Sequence, residues 1–205
     1  MPATESVRDR DFERFLTFVD AVVAIAITLL VLPLVDVAGE VTSHSDVGDV
    51  LSKHDAQFLA FGISFVVISR LWFAQHHVLR PVVAASGGVS LLIMLWLGTI
   101  VVLPFSTALI AQVGHSGVAQ VLYIGTMALG SLLLAGVGVL VVRDPSLRDG
   151  PPADPALSAS VGLIFLVALA LTLLVPALSY WTLFLLFGGD RLAKLWRRWR
   201  GPLPD

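Results

Sequence analysis

The chain has 205 residues, of which 57% are hydrophobic and 14% charged, with a mean hydropathy of +0.88. Soluble domains carry about a quarter charged residues, so this composition excludes a disordered chain and argues against a soluble globular enzyme. Cysteine is absent, which excludes disulfides, thiolate metal sites and cysteine nucleophiles, and the net charge of -2 matters less than where the charges lie.

At about 20 residues per transmembrane helix, the apolar content fills six spans with short connections. The expectation is an all-α integral membrane protein, a single six-helix domain over 1–205 followed by a basic tail. The first apolar run, 15–35, is interrupted only by Asp20. It is too long for the h-region of a signal peptide, and Pro33 leads to no small-residue cleavage site. A second span covers 56–79, with Arg70 inside it and His76 and His77 near its end. The third, 83–112, is entered through Gly87 and Gly88 and carries Pro104, where a kink or tilt is expected. The fourth, 118–142, is rich in glycine (Gly125, Gly130, Gly136, Gly138), which suits close helix packing. The block 156–188 is too long for one span, and Pro176 divides it into helices of 156–175 and 177–188.

Three connections separate these runs. Residues 36–55 hold Asp36, Glu40, Asp46, Asp49 and Asp55 against one Lys53. Residues 143–155 form a proline-rich polar linker. The tail 190–205 carries Arg191, Lys194, Arg197, Arg198 and Arg200 around Trp196 and Trp199. Directly after a span, such a tail suits anchoring in an anionic leaflet better than binding nucleic acid. Lysine and arginine concentrate on the cytoplasmic side of membrane proteins. Placing the N-terminus inside puts Arg8, Arg10, Arg14, Arg80, Arg143, Arg148 and the five tail cations there, and leaves only Lys53 outside. The reading is therefore six spans with both termini cytoplasmic, in a multi-pass protein of a cell membrane.

A charge inside a span is a functional candidate whose partner must be named. Asp20 and Arg70 are such groups and candidates for a pair, with Arg14 at the entrance of the first span. At 100° per residue, Arg14, Phe18, Ile25, Leu29 and Leu32 share one stripe of the first helix, flanked by Thr28. Asp20 lies about 140° from Ile25 and faces other helices. The adjacent pair His76 and His77 diverges by about 100° and does not readily ligate one metal. There is no zinc-hydrolase motif, no G-x-S-x-G and no phosphate-binding glycine loop. An enzyme is therefore not expected, and neither a metal nor a cofactor is implied. A proton-coupled carrier using Asp20, Arg70 and His76 or His77 as a relay is the alternative to a channel, although no internal repeat of the kind carriers often show is visible.

The segment Arg14-Phe15-Leu16-Thr17-Phe18-Val19-Asp20 and the apolar run after it resemble the R-x-x-x-F-S-D signature and first helix of a channel family. These are the prokaryotic homologues of transmembrane protein 175, the endolysosomal potassium channel. Trp72, His76 and His77 look like the family's Trp-x-x-x-His-His segment, and Pro104, Phe105, Thr107 and Ala108 like its Pro-Phe-x-Thr-Ala segment. The resemblance implies a homotetrameric channel for potassium and other monovalent cations in a lipid bilayer, in a prokaryotic inner or plasma membrane, without a carbonyl selectivity filter. It further implies a pore lined by the first helix, with a constriction at Ile25, further aliphatic rings at Leu29 and Leu32, and an ion-facing hydroxyl at Thr28. Arg14, Phe18, Asp20, Trp72, His76 and His77 would form the motif network that ties helices together. One position departs: Val19 stands where the motif has serine, removing a hydroxyl from that network.

Overall fold

Asp9 begins the first helix as its N-cap, its carboxylate accepting from the Asp11 amide at 3.1 Å. Asp11 and Glu13 follow in the first turn, where the helix dipole favours negative charge. In the computed structural model, which describes residues 9–41, 46–84, 86–113 and 116–174, without the side chains of 157 and 171–174, this helix is α1, Arg10–Leu29. It gives way to a turn at Leu30 and Val31 and resumes as α2, Leu32–Gly39. The interruption has a local cause: Pro33 has no N–H to return to the carbonyl of Leu29. The amides of Leu30 and Val31 bond three residues back, to Ile27 and Thr28, instead of four. The first span thus starts earlier than position 15 and is broken where the sequence suggested one continuous helix.

The acidic connection is not wholly irregular. Asp46 caps a short helix α3, Val47–Lys53, by accepting from the Gly48 amide at 2.8 Å. Long apolar helices follow as α4, Asp55–Leu79, α5, Gly87–Val113, and α6, Gly117–Arg143. A 3-10 turn at Pro145–Leu147 leads to α7, Pro155–Leu174. The described residues contain helices and one isolated bridge, between Val82 and Arg148, and no strand. Four stretches, Arg10–Gly39, Asp55–Leu79, Gly87–Val113 and Gly117–Arg143, are long and apolar enough to cross a membrane, and the shorter apolar stretch Ser158–Ala170 lies within α7. The span expected at 177–188 and the basic tail 190–205 lie outside the described residues.

The centre of the bundle is α5, on which α1, α4 and α6 all pack, while α7 packs on α6. Its buried residues Ile93, Trp96 and Ile100 are completely enclosed. Close approach of α6 depends on missing side chains: a Cβ at Gly130 would stand 2.8 Å from the Thr99 hydroxyl, and one at Gly138 2.9 Å from the Pro155 ring. Beside Pro104 the hydroxyls of Ser106 and Thr107 both donate to the Leu103 carbonyl, at 3.0 and 2.8 Å.

One end of the bundle gathers the chain's turns. The Asp9 amide bonds the Val83 carbonyl, that of Val83 bonds Leu147, and that of Asp149 bonds Pro81. Arg10, Arg80, Arg143 and Arg148 therefore share this end, with Arg14 one turn further along α1. Lys53 lies at the opposite end, where His54 meets Glu40 at 3.1 Å.

Candidate functional site

Two faces of α1 have different fates. Val19, Val23 and Ala26 are buried against the bundle, consistent with a helix that packs mainly on α5. The other face carries Phe18, Ile25 and Leu29, which are 51%, 56% and 41% exposed, and Leu32 beyond the break is 54% exposed. Such large aliphatic groups are not needed for the fold of one chain. Thr28 is exposed beside them, and its hydroxyl donates to the Ile25 carbonyl at 2.7 Å. With its proton held by the backbone, the oxygen presents its lone pairs outward.

Asp20, half-buried between the two faces, is where α1 meets α4. The Trp72 indole Nε1 donates to Asp20 Oδ1 at 3.0 Å. His76 Nε2 lies 3.8 Å from Asp20 Oδ2, and the His76 ring stands edge-on to Trp72 with centroids 4.4 Å apart. His76 Nδ1 is also placed to donate to the Trp72 carbonyl at 3.3 Å. Trp72 and His76 are one turn apart on α4, so a single carboxylate can engage both.

The motif residues do not all converge. Phe18 projects on the exposed stripe, Arg14 is exposed away from the cluster, and His77 is turned about 100° from His76. Arg70 borders a different recess from Asp20. It sits about 200° around α4 from Trp72, so the rotation that brings the indole to α1 directs Arg70 to the far side, towards Asp154 and α7. Helix geometry thus sets Arg70 and Trp72 on different sides of α4. Val19, at the position of the motif serine, is wholly buried and takes part in packing. No group of three or more histidine or acidic side chains among the described residues is arranged to hold a metal ion.

Two polar features escaped the sequence reading. Gln75 is 2% exposed and borders, with Glu13, Thr17, Asp20 and Arg80, a recess of about 630 Å³ between α1 and α4. Its Oε1 has no hydrogen-bond partner. Nearer the opposite end, the Thr107 hydroxyl, its proton on the Leu103 carbonyl, pairs with Ser64 Oγ at 2.8 Å, and Ser64 Oγ pairs with the Tyr123 hydroxyl at 2.8 Å. This buried chain of three hydroxyls ties α4, α5 and α6 together. A polar residue within an apolar run was the available signal for all four, but sequence spacing within one helix does not reveal partners on another.

Comparison with known proteins gives one family. The family described as "Endosomal/lysosomal potassium channel TMEM175" matches residues 14–104, which span α1 to the middle of α5 and include the Asp20–Trp72–His76 cluster. No curated protein matches the chain.

Proposed function

Because the TMEM175 potassium-channel family model matches residues 14–104, we propose that this chain is a member of that family and a multi-pass membrane channel for potassium, with a pore lined by the exposed face of α1. The observation that carries this reading is the stripe Ile25, Leu29 and Leu32, large aliphatic groups that one chain leaves uncovered on its first span. In a homotetramer about a central axis each stripe position becomes a ring of like residues. A ring of isoleucines at Ile25 closes a pore by excluding water, and conduction requires the ring to dilate or wet.

The Thr28 hydroxyl, one turn from Ile25, supplies an oxygen ligand to a cation that has shed water at the ring. The break after Leu29 adds a second source of oxygen, since Pro33 leaves the Leu29 carbonyl without its ordinary helical donor. Selection in this reading combines ring size with dehydration, assisted by Thr28. Asp20 acts elsewhere: its bonds to Trp72 and His76 fix the rotation of α1 and thereby the direction in which Ile25 points. The grouping of Arg10, Arg14, Arg80, Arg143 and Arg148 at one end of the bundle supports a cytoplasmic assignment for that end. With a sixth span at 177–188, both termini are then cytoplasmic in the cell membrane. At the other end, the acidic residues near Glu40 and Asp46 raise the local cation concentration.

The test is potassium flux from liposomes holding the purified protein, wild type against Ile25→Asn. The expected result is flux in the wild type and an altered rate and potassium-to-sodium ratio in the variant. Equal rates and ratios in the two proteins would remove Ile25 from the pore. Saturating, gradient-coupled exchange in place of channel-like flux would replace the channel with a carrier.

A further inference from the structure

The recess between the start of α1 and the end of α4 gathers oxygen acceptors from both helices. From α1 it takes Glu13, Thr17 and Asp20, which lie on one stripe about two turns long. From α4 it takes Gln75, with His76, His77 and Arg80 around it. Gln75 is 2% exposed and its Oε1 has no hydrogen-bond partner, a costly state for a buried acceptor. The Trp72 indole engages Asp20 Oδ1, but His76 Nε2 stands 3.8 Å from Oδ2, too far for a hydrogen bond. The Thr17 hydroxyl donates to the Glu13 carbonyl at 2.9 Å, which leaves its oxygen as an acceptor. The Glu13 side chain is exposed and ends in a carboxylate.

Acceptors from two helices, two of them carboxylates, call for a cation that donates hydrogen bonds. Direct ligation of a metal is not indicated, since no three histidine or acidic side chains converge on one among the described residues. Magnesium binds in another way: it gives up water reluctantly and is held by one or two carboxylates while keeping several waters. We infer that the α1–α4 recess binds a hydrated magnesium ion. Waters of its shell donate to the carboxylates of Glu13 and Asp20 on α1 and to Gln75 Oε1 on α4. With the metal–water distance about 2.1 Å and the charge-assisted bond beyond it about 2.6 Å, an intact shell bridges carboxylate oxygens about 9 Å apart. Seven residues of α1 rise about 10.5 Å, a separation that two flexible acidic side chains can match. A recess of about 630 Å³ has room for the ion with its shell. Arg80 already has a partner, and its charge at the rim opposes the ion and keeps the affinity modest. The ion joins α1 to α4 beside the Asp20–Trp72 bond, so magnesium reinforces the rotation of α1. The inference rests on this recess and not on potassium conduction.

Thermal unfolding of the full chain in detergent, titrated with magnesium chloride at constant ionic strength, tests it. Hexaamminecobalt(III), whose ammines imitate the water shell and do not exchange, is the second probe. Both are expected to raise the unfolding temperature saturably. Glu13→Gln and Gln75→Leu should each weaken the apparent affinity about fivefold, the size of one ordinary hydrogen bond. Gln75→Leu also removes the unpaired amide, so its unfolding temperature without magnesium should match or exceed that of the wild type. An intact fold with a reduced response separates loss of the site from general damage. A response that is absent, unsaturable, or equal in the wild type and both variants would overturn the inference. So would a response to magnesium that hexaamminecobalt(III) does not share, which means direct ligation. A stronger response to 1,4-diaminobutane than to magnesium would make the ligand an organic diamine and overturn it as well.

Discussion

The helices α1 and α5 are both long and apolar, yet the chain treats them differently. The inner residues of α5, Ile93, Trp96 and Ile100, are wholly enclosed because α1, α4 and α6 all lean on this helix. In contrast, α1 buries a narrow strip through Val19, Val23 and Ala26 and leaves Ile25, Leu29 and Leu32 uncovered. Within one chain, α5 is therefore where stability resides, and the outer face of α1 is available for something else. Substitutions on α5 should lower unfolding temperature whatever the function. Substitutions on the outer face of α1 should leave unfolding almost unchanged and alter transport.

The largest expected effect tests the α5 half of this contrast. Replacing Trp96 with alanine leaves a large cavity, and such truncations cost about 3–5 kcal/mol. Thermal unfolding in detergent reads the loss. The Trp96 Nε1 has no hydrogen-bond partner, so Trp96→Phe should cost much less than Trp96→Ala. Equal losses for the two would mean that the indole nitrogen has a partner, such as a buried water.

The next effect concerns the link between α1 and α4. A hydrogen bond to a charged group contributes about 1.5–3 kcal/mol, and Trp72→Phe removes the donor at 3.0 Å from Asp20. Asp20→Asn should cost a similar amount, and the double variant should cost less than the sum, because both substitutions break one interaction. Strict additivity in the unfolding free energies would separate the two residues.

How much of this was legible in the sequence follows from the range of each signal. Composition and apolar run length located the long helices, since a bilayer imposes length directly. The angular spacing of Ile25, Leu29 and Asp20 sets the aliphatic stripe apart from the carboxylate by helix geometry alone. Periodicity did not fix the rotation of α4 relative to α1, and this is why Arg70 rather than Trp72 stood as the candidate partner of Asp20. Only the resemblance gave Trp72 a role beside Asp20, while His76 stood as one of two histidines open to a relay. Pro33 was visible, but whether proline kinks or interrupts a span depends on which carbonyls find other donors, here those of Ile27 and Thr28. Gln75 stood out only as a polar residue in an apolar run, and an amide in a helix that also holds Gln57 and two histidines does not announce burial.

Val19 supplies a smaller and sharper test. A serine here restores the family motif but sets a hydroxyl in a fully buried site. Without a partner such a group costs about 1–3 kcal/mol in proteins. Val19→Ser should therefore lower the unfolding temperature, unless the hydroxyl bonds the carboxylate of Asp20 and completes the network. An unchanged or raised unfolding temperature, lost again in Val19→Ser with Asp20→Asn, would identify that bond.

The smallest expected stability effect bears most on the proposed pore. Exposed substitutions away from special contacts usually stay within about 0.5 kcal/mol, and Ile25 is 56% exposed on the single chain. If the stripe lines a pore, Asn at position 25 faces water and ions in the assembly too, so unfolding and subunit mass should both match the wild type. If the stripe is an apolar contact between chains or with lipid, the same amide is buried without a partner there. Unfolding temperature or assembly size should then fall. Measuring both on Ile25→Asn in detergent separates these cases without recording any flux. The pore reading requires a protein that is altered in transport while unfolding and assembling like the wild type.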